Sequence, residues 1–218
     1  MIKVIDNFVN ASYYKEIENG ILGVNFTWHW NASISAATNS NASALYSSPT
    51  NSNLFGFSHR LFNAEKPTSP FYEFLLPMFL QAKGETYAEV LLRARGVMTI
   101  ISGEQVTYEP HIDISHIRQE PYIDTPAQAT STVNMIFYIG DSDGDTIIYK
   151  EKFFPQEPYV EPQQPKILTE EQRISPKANR LLIFSGEHWH TGQSPKNHSR
   201  RVWLNLNFAK NDYRKYYE

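Results

Sequence analysis

The chain has 218 residues, of which 41% are hydrophobic, 14% aromatic and 20% charged, with a net charge of −3. That is enough apolar material for a core and too little net charge for a disordered chain, so a single domain over 1–218 is expected. The mild acidity gives no reason to expect a nucleic-acid or membrane surface. The absence of cysteine removes disulfides, zinc–thiolate sites, iron–sulfur clusters and cysteine nucleophiles.

In chain order, Met1-Ile2-Lys3-Val4 starts directly on strand-like residues, without the charged start and apolar run of a signal peptide. The longest apolar run, from Phe74 to Leu80, is broken by Pro77 and far too short to span a membrane. A cytoplasmic protein is the expectation. Ile2 to Ile5 reads as a strand. Asn10 then reads as the N-cap of a helix through Tyr14, Ile17 and Asn19 that stops at Gly20. Residues 31–53, rich in Asn, Ser, Ala and Thr, read as a long polar loop. Phe55 to Phe62 suggests a strand, and a helix from Ser69 or Pro70 to Lys83 is closed by Gly84. Tyr87 to Leu92 reads as a second helix or a helix end.

From Arg93 short strands alternate with turns: near 93–101, 106–113, 131–139, 145–150, 166–174, 180–185 and 200–208, with Asp141-Ser142-Asp143-Gly144 a turn between two of them. Many short strands after a helical start predict a mainly β (α+β) β-sandwich or jelly roll with the N-terminal helices packed outside. Residues 152–178 hold five prolines. They read as a stiff surface insertion rather than a ligand for a proline-recognition module, because strand alternation resumes in their second half.

Two stretches carry chemistry. In Tyr108-Glu109-Pro110-His111-Ile112-Asp113 an imidazole and a carboxylate stand two residues apart, which on extended backbone puts them on one face. The second stretch has His188 and His190 after an apolar strand and a Gly turn. Its returning strand carries Arg201, Trp203, Asn205 and Asn207 on one face and Val202, Leu204, Leu206 and Phe208 on the other. A polar face on so apolar a strand calls for a cavity, where the planar Arg201 fork suits a carboxylate. Two histidines and one carboxylate on one side of a metal, with its other positions open, suit oxygen-activating non-haem Fe(II).

His-x-Asp, a distal His and an Arg about ten residues further on resemble the Fe(II)/2-oxoglutarate-dependent dioxygenases. Tyr108-Glu109-Pro110-His111-x-Asp113 is similar to their prolyl 4-hydroxylase branch, as are Asp145-Thr146 after Tyr138-Ile139-Gly140 and the strand Asn179-Arg180-Leu181-Leu182-Ile183-Phe184. The likeness covers roughly 90–209. It implies a double-stranded β-helix over 93–209 supported by 1–92, with His111, Asp113 and His190 as catalytic metal ligands. Arg201 would pair with the distal carboxylate of 2-oxoglutarate, and Tyr138 would share that contact. Fe(II), 2-oxoglutarate and O2 are the implied cofactors and cosubstrates, with ascorbate a candidate additional reductant. His190 is preferred to His188 because His-x-Gly-x-x-Pro fits there, and Arg201 to Arg200 because Arg-x-x-x-Asn fits there. The family's tyrosine nine residues before the first His falls on Ser102; an insertion of two would move it to Ile100 or Thr99.

Taken singly, each of these residues has an ordinary reading. His111 with Asp113 could be a surface pair and Tyr138 a core tyrosine, while His116, His188 and His198 read as loop or supporting histidines. Asp141, Asp143 and Asp145 imitate a calcium loop, but the twelfth position is Lys152 where a bidentate Glu is required. Trp28, Trp30, Phe71, Tyr72 and Phe74 read as packing. The resemblance implies decarboxylation of 2-oxoglutarate to succinate and CO2 with hydroxylation of an unactivated C–H, a peptidyl proline being the substrate it points to first. The partner is then a peptide or small molecule, held by loops 31–53, 115–130 and 152–165. The competing readings are a jelly-roll metal- or ligand-binding protein without turnover and, third, a zinc hydrolase. Oligomeric state is not legible.

Overall fold

The computed structural model describes residues 2–32, 34, 55–63, 66–101, 103–114, 132–154 and 162–210. Most of the polar loop 31–53, Ser102, the loop 115–130 with His116, and the middle of 152–165 lie outside the described residues. Two antiparallel sheets face one another. The larger contains β1 (Ile2–Ile5), β9 (Arg180–Ser185), β6 (Thr132–Tyr138), β11 (Arg200–Ala209), β5 (Val90–Ile100), β3 (Gly56–Asn63) and β2 (His29–Asn31) in that spatial order, with β4 (Lys66–Pro67) paired to β3. The smaller is β10 (His188–Gly192), β7 (Thr146–Lys152) and β8 (Glu170–Ile174). This is the expected jelly-roll architecture.

Alternation along the strands divides the apolar residues into two cores. Outward-pointing Ala94, Val133, Met135, Phe137, Leu181, Ile183, Val202, Leu204, Leu206 and Phe208 pack against α1 (Ala11–Leu22) through Ile17 and Ile21. They pack against α2 (Phe71–Gly84) through Leu75, Met78, Phe79 and Ala82. Inward-pointing Val97, Ile136, Tyr138, Leu182, Phe184 and Trp203 meet Ile148 and Ile174 of the small sheet. The helices thus lie outside, as expected, and the space between the sheets is left for the site. No described helix is long and apolar enough to cross a membrane.

Asn10 caps α1, its side-chain oxygen accepting from the Ser12 N–H at 2.9 Å. Gly20 does not end that helix. A side chain there would press on the Phe74 ring 3.2 Å away, so glycine lets α1 and α2 approach, and Gly23 makes the end instead. Trp30 lies 64% exposed on β2 rather than in packing. Tyr87 to Leu92 is not a second helix: Val90 already begins β5, whose partners β3 and β11 decide the matter over local propensity. The segment 106–113 is not a strand of either sheet. It touches β10 and the residue just after it through isolated bridges, His111 with His190 and Thr107 with Gln193, because Pro110 has no N–H to continue a ladder. Conversely, the two histidines of the second stretch lie within a strand, β10, whose partner β7 is about forty residues earlier in the chain.

Asn179 joins the N-terminal segment to the start of β9. Its side chain accepts from Val9 N–H at 2.9 Å and donates to Val9 C=O at 2.8 Å, while its backbone takes the left-handed conformation (φ 59°). Asn179→Ala removes both bonds at a buried position and places alanine where asparagine is tolerated better. A loss of about 2–3 kcal/mol in urea unfolding is expected.

Candidate metal centre

Segment 106–113 is tied along the free edge of β10. His111 N–H donates to His190 C=O at 2.9 Å and His190 N–H to His111 C=O at 3.2 Å. Tyr108 N–H donates to Gly192 C=O at 3.0 Å, and the Thr191 hydroxyl to Tyr108 C=O at 2.7 Å. These bonds bring the two histidines together, with ring centroids 4.5 Å apart. The ligand-capable atoms of His111, Asp113 and His190 all lie within 4.8 Å of one another, and they form the one such group among the described residues. His111 Nε2 is 3.8 Å from Asp113 Oδ1, and His190 Nε2 is 3.6 Å from Asp113 Oδ2.

Both rings have their other nitrogen occupied. His111 Nδ1 lies 3.0 Å from Glu109 C=O, and His190 Nδ1 lies 3.1 Å from His188 C=O. A carbonyl can only accept, so each Nδ1 carries the proton and each Nε2 presents a lone pair to the shared centre, the arrangement a metal-binding imidazole needs. Burial and the neighbouring His190 ring lower the His111 pKa to about 4, so it is neutral at ordinary pH. His188, by contrast, turns its Nδ1 to Tyr149 C=O at 2.8 Å and stands 3.5 Å from Glu171. It is not part of the group.

Asp113 is held as a carboxylate. Burial pushes its pKa up, but the Arg93 guanidinium beside it works against this, and the carboxyl is held well below the usual range. Arg93 Nη2 donates to Asp113 Oδ1 at 3.0 Å, and the side-chain amides of Asn205 and Asn207 donate to Oδ2 at 3.1 and 3.0 Å. Asn207 is itself shared with Asn134 at 2.8 Å. The polar face of β11 is therefore the scaffold that orients the carboxylate.

At the other end of that face Arg201 is 2% exposed, its guanidinium lying over the Trp203 ring at 4.3 Å. Nη2 donates to Thr146 Oγ1 at 2.6 Å and Nη1 to Gln193 C=O at 3.2 Å, while Nε is buried without a hydrogen-bond partner. Directly across the β5–β11 register stands Thr99, whose hydroxyl is also buried without one. Two adjacent buried donors without partners are what a ligand carboxylate completes. Tyr138 is linked to this point through Thr146, its hydroxyl 2.7 Å from Oγ1, and the Arg201 guanidinium carbon is 6.0 Å from its ring centroid. Of the positions to which an inserted family tyrosine would move, Thr99 faces Arg201. Tyr108, unassigned by sequence, is buried close enough for its charge state and that of Arg201 to influence one another.

Sequence reading missed Thr146, Arg93 and Arg95. Alternating arginines in Leu92-Arg93-Ala94-Arg95-Gly96 were the available signal for the last two. Gly192 has a steric reason: a Cβ there would collide with Arg201 Nη1. Gly192→Ala is expected to displace the guanidinium; if Arg201 receives the distal carboxylate, the dissociation constant for 2-oxoglutarate rises on the order of 10- to 100-fold, read by anaerobic titration.

The chain matches the family model of the 2OG-Fe(II) oxygenase superfamily over residues 97–209, just over half its length. It belongs to that family. It is a 2-oxoglutarate- and Fe(II)-dependent dioxygenase, using Fe(II), 2-oxoglutarate and O2. Its fold is shared with a 2OG-Fe(II) oxygenase family oxidoreductase from Burkholderia pseudomallei (12% identity, 97% of this chain and 86% of that one, TM-score 0.58). It is shared equally with a prolyl hydroxylase from Trichoplax adhaerens, solved in complex with a hypoxia inducible factor peptide fragment (13%, 100% and 87%, TM-score 0.54). A third is HygX from Streptomyces hygroscopicus, solved with nickel and 2-oxoglutarate bound (8%, 95% and 82%, TM-score 0.53). No curated protein matches the sequence.

Proposed function

We propose that His111, Asp113 and His190 hold Fe(II), that Arg201 with Thr146 and Tyr138 receives the distal carboxylate of 2-oxoglutarate, and that the protein hydroxylates an unactivated C–H of a peptide, a peptidyl proline first. The observation that carries this reading is the convergence of two Nε2 lone pairs and one fully ionised carboxylate, with both Nδ1 protons tied to backbone carbonyls. Bound Fe(II) would supply oxygen activation driven by loss of CO2 from 2-oxoglutarate, so that substrate, O2 and 2-oxoglutarate become hydroxylated substrate, succinate and CO2.

The chain's own residues do the rest. Glu109 and His188 carbonyls keep the rings in one tautomer and orientation. Arg93, Asn205 and Asn207 hold Asp113 so that one rotamer faces the histidines. Arg201 fixes the dicarboxylate by its far end, and Phe184, Ile136, Trp203 and Ile148 keep water from the inner face. Residues 93–209 carry the chemistry in this reading and 1–92 brace it. The peptidyl-proline preference is supported by the Tyr108-Glu109-Pro110-His111-x-Asp113 likeness and by the fold shared with a prolyl hydroxylase that binds a peptide. Anaerobic addition of Fe(II) and then 2-oxoglutarate is expected to produce the visible metal-to-ligand absorption of the chelate. Metal binding without that absorption would remove the reading.

A further inference from the structure

The inner face of β5 and β11 carries a second pair of orphaned polar atoms. Arg95 Nε and Asn205 Oδ1 are both buried without a hydrogen-bond partner, and Arg95 and Asn205 are direct register partners. They lie four strand positions from the Thr99–Arg201 pair, a backbone separation of roughly 13 Å. The two pairs flank Val97 and Trp203 and point to two ligand groups rather than one.

Charge supports the same conclusion. Arg93 Nη2 is 3.0 Å and Arg95 Nη2 3.7 Å from Asp113 Oδ1, so the two guanidinium groups share that one carboxylate oxygen. Besides Asp113, Arg93 is held through its Nε, which donates to Asn207 Oδ1 at 2.9 Å. If Asp113 also gives its charge to a divalent metal, less of it is left for Arg95. Arg60 adds a further cation, standing opposite Arg95 in the β3–β5 register and therefore on the same face. Side-chain exposure rises outward along this row, from 2% at Asp113 through 13% at Arg93 to 24% at Arg95, and Arg60 is exposed. The row leads from the candidate metal centre toward solvent across β5 and β3.

Resting on the proposed metal site, we propose that Arg95 and Arg60 form a subsite for a carboxylate carried by the substrate itself, with Asn205 Oδ1 beside it to accept from an N–H of the same ligand. The planar guanidinium forks match a carboxylate in shape as well as charge. The carboxylate comes either from an acidic side chain near the reacting residue of a peptide or from a small free acid such as an amino acid.

The test measures succinate formation by the purified protein with Fe(II), ascorbate and 2-oxoglutarate, alone and with two sets of added compounds. One set is proline-centred peptide sublibraries with Asp or Glu at fixed neighbouring positions, beside their Asn and Gln counterparts. The other is free amino acids beside their carboxamides. Each protein's stimulated rate is divided by its own unstimulated rate. We expect carboxylate members of one set to stimulate at least tenfold more than their amides. That ratio should fall toward one in Arg95→Gln and Arg60→Gln and below one in Arg95→Glu. Which set responds identifies the source of the carboxylate. Equal stimulation by acids and amides, or no stimulation by either set while unstimulated turnover persists, overturns the subsite. So does an Arg95→Gln variant whose only change is a higher KM for 2-oxoglutarate. Absence of unstimulated turnover and of the chelate absorption would instead count against the metal-site reading.

Discussion

Arg201→Ala should weaken 2-oxoglutarate binding by on the order of 10²–10³-fold while leaving Fe(II) binding within a factor of a few. Removing one partner of a buried, hydrogen-bonded charge pair costs about 2–5 kcal/mol, which sets that range. The side chain is enclosed by Trp203 and Tyr138, and Gly192 has no room for a Cβ. Arg201→Lys should recover little. An ammonium would keep the charge but could not satisfy Thr146 Oγ1, Gln193 C=O and a ligand carboxylate with the guanidinium's fixed geometry. The readout is the anaerobic 2-oxoglutarate dissociation constant, paired with metal content. Unchanged 2-oxoglutarate affinity in Arg201→Ala would show that the dicarboxylate binds elsewhere.

The second large effect separates two ligands that look equivalent from sequence. Asp113→Ala and His111→Ala should each lower Fe(II) affinity by 100-fold or more, since each removes one of three donor groups. Their effects on the metal-free protein should differ. Asp113 is 2% exposed and balances Arg93 and Arg95, so its loss leaves paired guanidinium groups without a counter-charge. About 2–4 kcal/mol of stability should disappear. The half-buried neutral His111 ring balances nothing, and its removal should cost under about 1 kcal/mol. Urea unfolding with a chelator present reads both. Equal destabilisation would mean that Asp113 is not the charge centre of this face.

How much of this could be read from sequence depended on the range of each interaction. The His-x-Asp pair, His190 and Arg201 were legible because each sits in a short motif. The β11 face was legible because Arg201, Trp203, Asn205 and Asn207 alternate with an apolar series. Arg93 and Arg95 alternate in the same way inside the strand expected at 93–101, but their partner Asp113 lies about twenty residues on, and no local pattern joins them to it. The bridge between His111 and His190 and the pairing of β10 with β7 join segments remote in sequence, and no local pattern announces them. Thr146 lies in the expected Asp145-Thr146 turn, yet its role appears only when β7 is brought against Arg201. Gly20 was misread for a related reason: its smallness serves contact with Phe74 on another helix rather than a helix end.

The most direct test is succinate production from 2-oxoglutarate under air by purified protein supplied with Fe(II) and ascorbate, measured for wild type, His190→Ala and Arg201→Ala. Turnover in wild type that depends on added Fe(II) and is lost in both variants is the predicted result. Succinate formed at undiminished rate by either variant, or none formed by a wild-type protein that binds the metal, would contradict the assignment of this centre.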